Sequence, residues 1–333
     1  MSLLDPFISL AKRVNIIGRD KDEIEEGVQD DQLEILKLGK TDKELISLAS
    51  AWEQHWNDSE AKEGLELRQK QNEKYWLGDH YSPYEKRVGI KDLIDNLIFE
   101  ALETSLPFYT KQKGEPLVYS DKSDMGENLA KRVRDRIVDI SDTMRLRLKV
   151  KKAVRHWALY FLGCVKLGWS DLKNEIDAEV VKPQNLVLDP DAIVDECAYE
   201  GEYLGQKKTE TAQNLIARFP KKTAYITDKV HKKLGTKLGY TEWWTRDFIF
   251  WKLEGEILGK AKNPHWNYDE EIEETITNES GGRTKEKRTL IGRNHFPIRH
   301  IPFVFLSVFN IGKHPFDDTN LTEQVIPLQD VIN

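Results

Sequence analysis

The sequence predicts an α+β fold, with a helical N-terminal half and a long central helix packed on a mostly antiparallel β region. Two observations predict it. Apolar residues recur at i, i+3/i+4 spacing from Leu129 through Val133, Ile137, Ile140 and Met144 to Leu148, with charged residues on the opposite face. After Gly163 the pattern changes to short extended segments, and neither an internal repeat nor a low-complexity tract interrupts it.

The elements follow in order. Asp5-Pro6 opens a helix, carried by Phe7, Leu10, Val14 and Ile17 and stopped at Gly18. The stretch from there to Lys40 is acidic and weakly patterned, so residues 1–40 read as an N-terminal arm. Thr41 and Glu44 form a capping box, and Leu45, Leu48, Trp52 and Trp56 give the next helix its stripe. The helical signal resumes from Ser59 to Trp76, and a turn-rich loop covers 78–87. The apolar helix 92–110 is expected to end at Pro107. The long helix from Asp124 runs to the apolar turn that breaks at Gly163. Residues 41–163 thus form a helical part and 164–318 a β-rich part.

Strands are expected at 164–170, 176–182, 185–188 and 197–206, then a short helix from Thr209 to Phe219-Pro220. Tyr240 to Leu258 reads as a hairpin, with Trp244, Phe248 and Phe250 on one face and Trp243, Ile249 and Trp251 on the other. Apolar residues on both faces mark a sandwiched strand rather than an exposed aromatic platform for single-stranded nucleic acid. The ESGG run at 279–282 is a loop, and 301–309 is the last buried strand. Pro327 fits the first turn of a helix too short to be stable alone, so 327–333 is expected to fray or to be ordered only by a neighbour.

Composition narrows the function. In 333 residues, 39% hydrophobic content is enough for a core, while 32% charged residues suits long solvated helices and polar subunit contacts. A net charge of −7 excludes a general basic nucleic-acid binder, but not a channel along which DNA slides. Cys164 and Cys197 share no ligand spacing, which fits a reduced, soluble intracellular protein. The apolar runs near 157–165 and 301–309 are too short to span a bilayer, and no basic region precedes the first apolar residues.

Chemical motifs are absent or explained otherwise. Gly39-Lys40-Thr41 resembles the tail of a phosphate loop, but Glu34 stands where the loop needs glycine. The eight histidines show no zinc spacing; His156 reads as a packing or surface residue, and Ser170 sits in no nucleophile elbow. Asp189, Asp191, Asp195 and Glu196 form the best acidic cluster, which a metal-dependent nuclease or hydrolase could use. Asp-Pro-Asp is equally a turn in which Asp bonds its own backbone, and this reading is preferred. Asp30-Asp31 and Asp317-Asp318 read as solvated loop charges. No catalytic, cofactor-binding or metal-ligating residue is therefore expected.

Four blocks in sequence resemble the portal (head-to-tail connector) proteins of tailed bacteriophages, nearer to those of short-tailed phages. They are NEKYWLG (72–78), DLIDNLIFEALETSLPFYT (92–110), the charged helix running into YFLGCVKLGW with KPQNLVLDPDA, and TNLTEQVIPLQDVIN (319–333). Each is short and degenerate; their order carries the resemblance, which covers the chain from about residue 41 onward. It implies a non-enzymatic ring, typically of twelve subunits, at one capsid vertex. Such a ring meets capsid and scaffolding proteins, docks the terminase large subunit, passes double-stranded DNA without sequence preference, and holds the tail adaptor. By family order this chain is the wing portion, with 319–333 as the start of the stem helix and the stem, clip and crown lying beyond Asn333. The rivals are the nuclease reading and an adaptor that binds protein only.

Overall fold

Thr41 sets the first element. Its side chain accepts from the Glu44 N–H at 3.3 Å while Glu44 reaches back to the Thr41 N–H at 2.6 Å, the reciprocal cap expected from the sequence. The computed structural model describes residues 40–59, 61–79, 95–111, 116–119, 124–170, 175–195, 198–263, 270–277, 283–290, 301–310 and 314–332. The expected helix after Asp5, the loops at 78–87 and 279–282, and all but Lys40 of the arm lie largely or wholly outside these residues.

Among the described residues, the helices α1 (Asp42–Asn57), α2 (Leu65–Trp76), α3 (Leu97–Thr110), α4 (Asp124–Thr143) and α5 (Leu146–Tyr160) come first. Strands β1 (Gly163–Ser170), β2 (Glu175–Val181), β3 (Leu186–Leu188), β4 (Ile193–Asp195), β5 (Ala198–Glu200) and β6 (Tyr203–Thr211) follow. Then come α6 (Ala212–Arg218), α7 (Thr223–Lys229), β7 (Lys237–Thr245), β8 (Phe248–Leu253) and β9 (Glu256–Lys262). The hairpin β10 (Glu270–Thr277) and β11 (Arg283–Leu290), β12 (Phe303–Leu306) and α8 (Leu321–Ile332) complete the order. The class is α+β, as expected: one antiparallel sheet runs β2-β1-β12-β5-β4, a second runs β3-β6-β7-β8-β9, and β10-β11 pair alone.

Several boundaries differ from expectation for physical reasons. The long central helix is two helices, because Arg145 adopts φ +52° between α4 and α5. At 100° per residue, an unbroken helix would set the Val154–Trp157 face about a quarter of a turn from the Leu129–Ile140 stripe, so the two would not lie on one narrow side. α5 ends at Tyr160 through Phe161 at φ +71°, two residues before Gly163, which instead opens β1. Gly163 is required there, since a Cβ would lie 2.6 Å from the Ala153 carbonyl oxygen.

The 197–206 strand divides at Gly201-Glu202 into β5 and β6, which belong to different sheets. The following helix starts later than Thr209, capped by Thr211 on the Asn214 N–H at 3.4 Å. Pro107 lies inside α3, which runs on to Thr110. Pro327 lies inside α8, whose cap is Asn320, accepting from the Glu323 N–H at 2.8 Å. Residues 327–332 are helical rather than frayed, because buried Gln329 donates to the Asp95 carbonyl at 2.6 Å and accepts from the Ile98 N–H at 3.2 Å.

Register fixes the layers. Trp243 faces Phe250 and Trp244 faces Ile249 across β7-β8, so directly opposed residues share a side. The aromatic grouping expected from the sequence is thereby corrected: Trp243, Phe248 and Phe250 lie on one face, and Trp244, Ile249 and Trp251 on the other. Against the first face sits α1, where Trp52 stacks on Tyr203 at 4.7 Å and meets Trp243 at 5.3 Å. Gly205 leaves room for the Trp243 indole, which a Cβ would meet at 2.8 Å. The second face meets β1 and β12, with Trp244 edge-on to Phe303 at 6.0 Å. Leu306, on the far side of β12, packs with Trp157, Leu102 and Leu106, placing α5 and α3 beyond that sheet. The order of layers is α1, second sheet, first sheet, α5.

The C-terminal turn of α5 is buried, and each of its carbonyls finds a donor. Ala158 accepts from the Thr322 hydroxyl at 2.9 Å, Leu159 from Asn72 at 3.0 Å and Asn320 at 3.1 Å, and Tyr160 from Gln69 at 3.2 Å. Trp157 accepts from the Phe161 N–H at 3.0 Å, and Phe161 from the Asp317 N–H at 3.2 Å.

The β12 alternation gives a test. Phe305 is fully buried and Val304 is 41% exposed. Phe305→Ala is expected to destabilise by about 3–5 kcal/mol in denaturant unfolding, and Val304→Ala by less than about 1 kcal/mol. Equal effects would contradict the register.

Candidate assembly surface

The acidic cluster resolves into a turn. Asp189 is buried; one carboxylate oxygen accepts from the Asp191 N–H at 3.1 Å and the other from the Glu202 N–H at 2.8 Å. Its own N–H donates to the Tyr199 hydroxyl at 2.9 Å, which in turn donates to the Tyr203 carbonyl at 2.7 Å. The Asp-bonded turn preferred on sequence grounds is therefore present, and it pins the point where the chain changes sheets. Asp191 is exposed, the Asp195 side chain is not described, and Glu196 lies outside the described residues. Among the described residues, no group of three His, Cys, Asp or Glu side chains is placed to hold a metal ion. Thr41, from the Gly39-Lys40-Thr41 run, is a helix cap. Cys164 is buried and free, and burial pushes its thiol up.

Asp317 is not the solvated charge expected from the sequence. It is buried, accepts from the Trp157 indole N–H at 2.7 Å and the Val308 N–H at 2.9 Å, and is bonded by the Ser307 hydroxyl. The neighbouring Asp318 is exposed, as expected. Nothing local distinguishes the two; a buried partner 160 residues away does.

A second buried charge was also missed. Glu242, on β7, is 1% exposed between the sheets and pairs with Lys166, with Lys208 at 3.2 Å and with Arg218 at 3.8 Å. Burial alone would push its carboxyl up, but the three cations outweigh that and hold it well below the carboxylate range. Burial lowers the Lys166 ammonium to about 8, against the pull of Glu242. Glu179 extends the network to Gln206 at 2.8 Å and Lys208 at 3.2 Å, so β1 and β2 are tied to β6 and β7. The only available signal was polar residues in otherwise apolar strands. Glu242→Ala is expected to cost about 3–5 kcal/mol, since it strands buried cations. Replacing Lys166, Lys208 and Glu242 together with apolar residues is expected to recover much of that loss.

The surface contrasts with this interior. Of α4, none of the side chains from 126 to 143 is buried; Leu129, Val133 and Ile137 expose 47, 38 and 40% of their surface. An amphipathic helix draws most of its stability from burying its stripe, and here the stripe faces outward. Leu148 on α5 continues it at 62% exposure. At the bend, an open groove of about 520 Å³ is lined by Arg145, Leu148, Lys149, Lys152, Ile176 and Asp177, with Lys149 paired to Asp177. Further exposed apolar groups are Phe108 on α3 and Leu328, Val331 and Ile332 on α8. These features suit a protein surface far better than a small-molecule site.

One buried and one half-buried histidine make stability depend on pH. Desolvation, with Lys152 nearby, lowers His156 to about 4. Desolvation also lowers His314 to about 4, although Asp189 opposes it; its ring stacks on Trp56 and Phe316. Both are neutral in the fold, so the unfolded chain binds more protons between about 6.5 and 4. Stability is therefore expected to fall as pH drops through that window, by at most about 3 kcal/mol per histidine at pH 4. Urea midpoints measured from pH 7 to 4 check this, and His156→Gln with His314→Gln should flatten the slope.

No helix among the described residues is long and apolar enough to cross a membrane. Compared with known proteins, the chain matches no family model, and no curated protein matches it.

Proposed function

We propose that this chain is a structural subunit of a phage portal ring, contributing the wing. In that role it sits at the capsid vertex of the virion after synthesis in the host cytoplasm, and DNA is packaged and ejected through the ring. Capsid and scaffolding proteins, the terminase large subunit and a tail adaptor are its partners. The observation that carries the reading, beside the order of the four sequence blocks, is α4: a 20-residue amphipathic helix without a buried side chain from 126 to 143. Such a helix gains its stability from another molecule. Exposed apolar groups on α3 and α8 give the same molecule additional contact area, as a ring subunit with two neighbours requires.

Single-particle electron microscopy of the chain, alone and co-expressed with capsid and scaffolding proteins of the same genome, tests this. Closed rings of cyclic symmetry are expected, with no hydrolysis of ATP or DNA in Mg²⁺. Monomers under both conditions, or DNA cleavage that disappears in Asp189→Ala/Asp191→Ala, would overturn it.

A further inference from the structure

Charge along this chain is sharply segregated. Residues 131–155, which span most of α4 and α5, carry ten basic against three acidic side chains, although the whole chain has a net charge of −7. Residues 20–36 hold the reverse, eight carboxylates against Lys21, with Ile24, Val28, Leu33 and Leu36 among them. Arg132 and Arg136 border the exposed Leu129–Val133–Ile137 stripe on one side and Arg134 borders it on the other, and all three are exposed. Among the described residues, no carboxylate lies within ion-pair distance of Arg132, and the Arg136–Asp139 pair is itself solvent-exposed. The stripe thus presents an apolar centre with a cationic rim, and the acidic segment is an apolar sequence with anionic surroundings.

We infer that α4 is the docking surface for the acidic segment 20–36 of a second copy of this chain. Charge complementarity selects the segment, and its point of attachment selects the second copy. Residue 36 lies four residues before Lys40, a connection that spans at most about 14 Å. The near end of that connection is held, because the Lys40 carbonyl accepts from Lys260 of β9 at 3.0 Å. α1 covers the outer face of the second sheet, while α4 leaves from the start of α5, beyond the outer face of the first sheet. The residue-36 end of the segment therefore starts on the opposite side of the layered body from the start of its own α4, where a neighbour's α4 can meet it. A head-to-tail contact of this kind uses two different patches and propagates around a ring. The inference rests on the subunit reading and specifies one of its contacts.

Charge reversal in the full chain tests it. One variant carries Glu23→Lys, Glu26→Lys and Asp30→Lys; the other carries Arg132→Glu and Arg136→Glu, both at exposed positions of α4. Hydrogen exchange of the α4 amides and sedimentation are followed against concentration. In the wild-type chain, α4 protection should rise with association. Each variant alone should associate about tenfold or more weakly, and an equimolar mixture of the two should recover both readouts, which also shows that each is folded. Association unaffected by either reversal overturns the contact, as does α4 protection independent of concentration, or protection that appears only with added double-stranded DNA. Rings that still close in both variants would sink this contact and leave the subunit reading standing. Concentration-dependent α4 protection and mixture rescue without ring closure would do the opposite.

Discussion

The C-terminal turn of α5 is buried, and a buried helix end must find donors for carbonyls that the helix itself leaves empty. Here Gln69 and Asn72 arrive from α2, Asn320 and Thr322 from the start of α8, and the Asp317 N–H from the segment after β12. Leaving one buried acceptor unpaired costs about 1–3 kcal/mol, so losing any one of these elements is penalised at this point. The Asp317 carboxylate closes the loop by receiving the Trp157 indole from the same turn of helix. Three stretches distant in sequence are thus held in one place, and the strand that precedes the last of them, β12, is delivered to the middle of the first sheet. The left-handed Phe161 that makes this possible costs about 1–2 kcal/mol. Its ring compensates by full burial, with the Arg68 guanidinium 4.4 Å from its centre.

The two sheets meet in a different way. Apolar packing between Trp244 and Phe303 supplies contact area, but it does not choose one registration over another. The Glu242 network does, because Lys166, Lys208 and Arg218 approach from β1, β6 and α6 and are satisfied together in one arrangement. Buried ion pairs add little net stability over well-packed apolar residues, yet breaking one is expensive. Their effect here is to penalise slipped packings of the sheets. The Asp189 turn acts beside it, fixing where the chain leaves one sheet for the other.

Local chemistry was legible in the sequence, and long-range satisfaction was not. The Thr41–Glu44 cap and the Asp189–Asp191 turn depend on neighbours within a few residues, and the spans of β1 to β3 follow the local apolar pattern, so all were readable. Pro107 and Pro327 look like helix boundaries by local rules, but both lie within helices that tertiary contacts hold: α3 through the Arg155–Glu103 pair, α8 through Gln329. Asp317 and Asp318 are indistinguishable until Trp157 is brought to one of them. The faces of β7 and β8 were misassigned because alternation defines faces within each strand, whereas register alone relates one strand to the next. The break at Arg145 had no glycine or proline to announce it.

That break also explains why the candidate surface was half visible. Periodicity identifies one apolar stripe from Leu129 to Leu148 that runs into an apolar turn, without saying what covers either. Once Arg145 turns the chain, the α5 face enters the core beside Leu102 and Leu106, and the α4 stripe is carried away from it. In a straight helix the two faces would still point about a quarter of a turn apart, so covering one would leave much of the other open. The stripe is therefore a consequence of how α5 is held: the same buried helix end that fixes the subunit's interior leaves α4 projecting with its apolar side uncovered. A body whose α5 end is satisfied from within, and whose amphipathic α4 is left uncovered, is what the proposed subunit reading requires: a last element completed by contact with a neighbour.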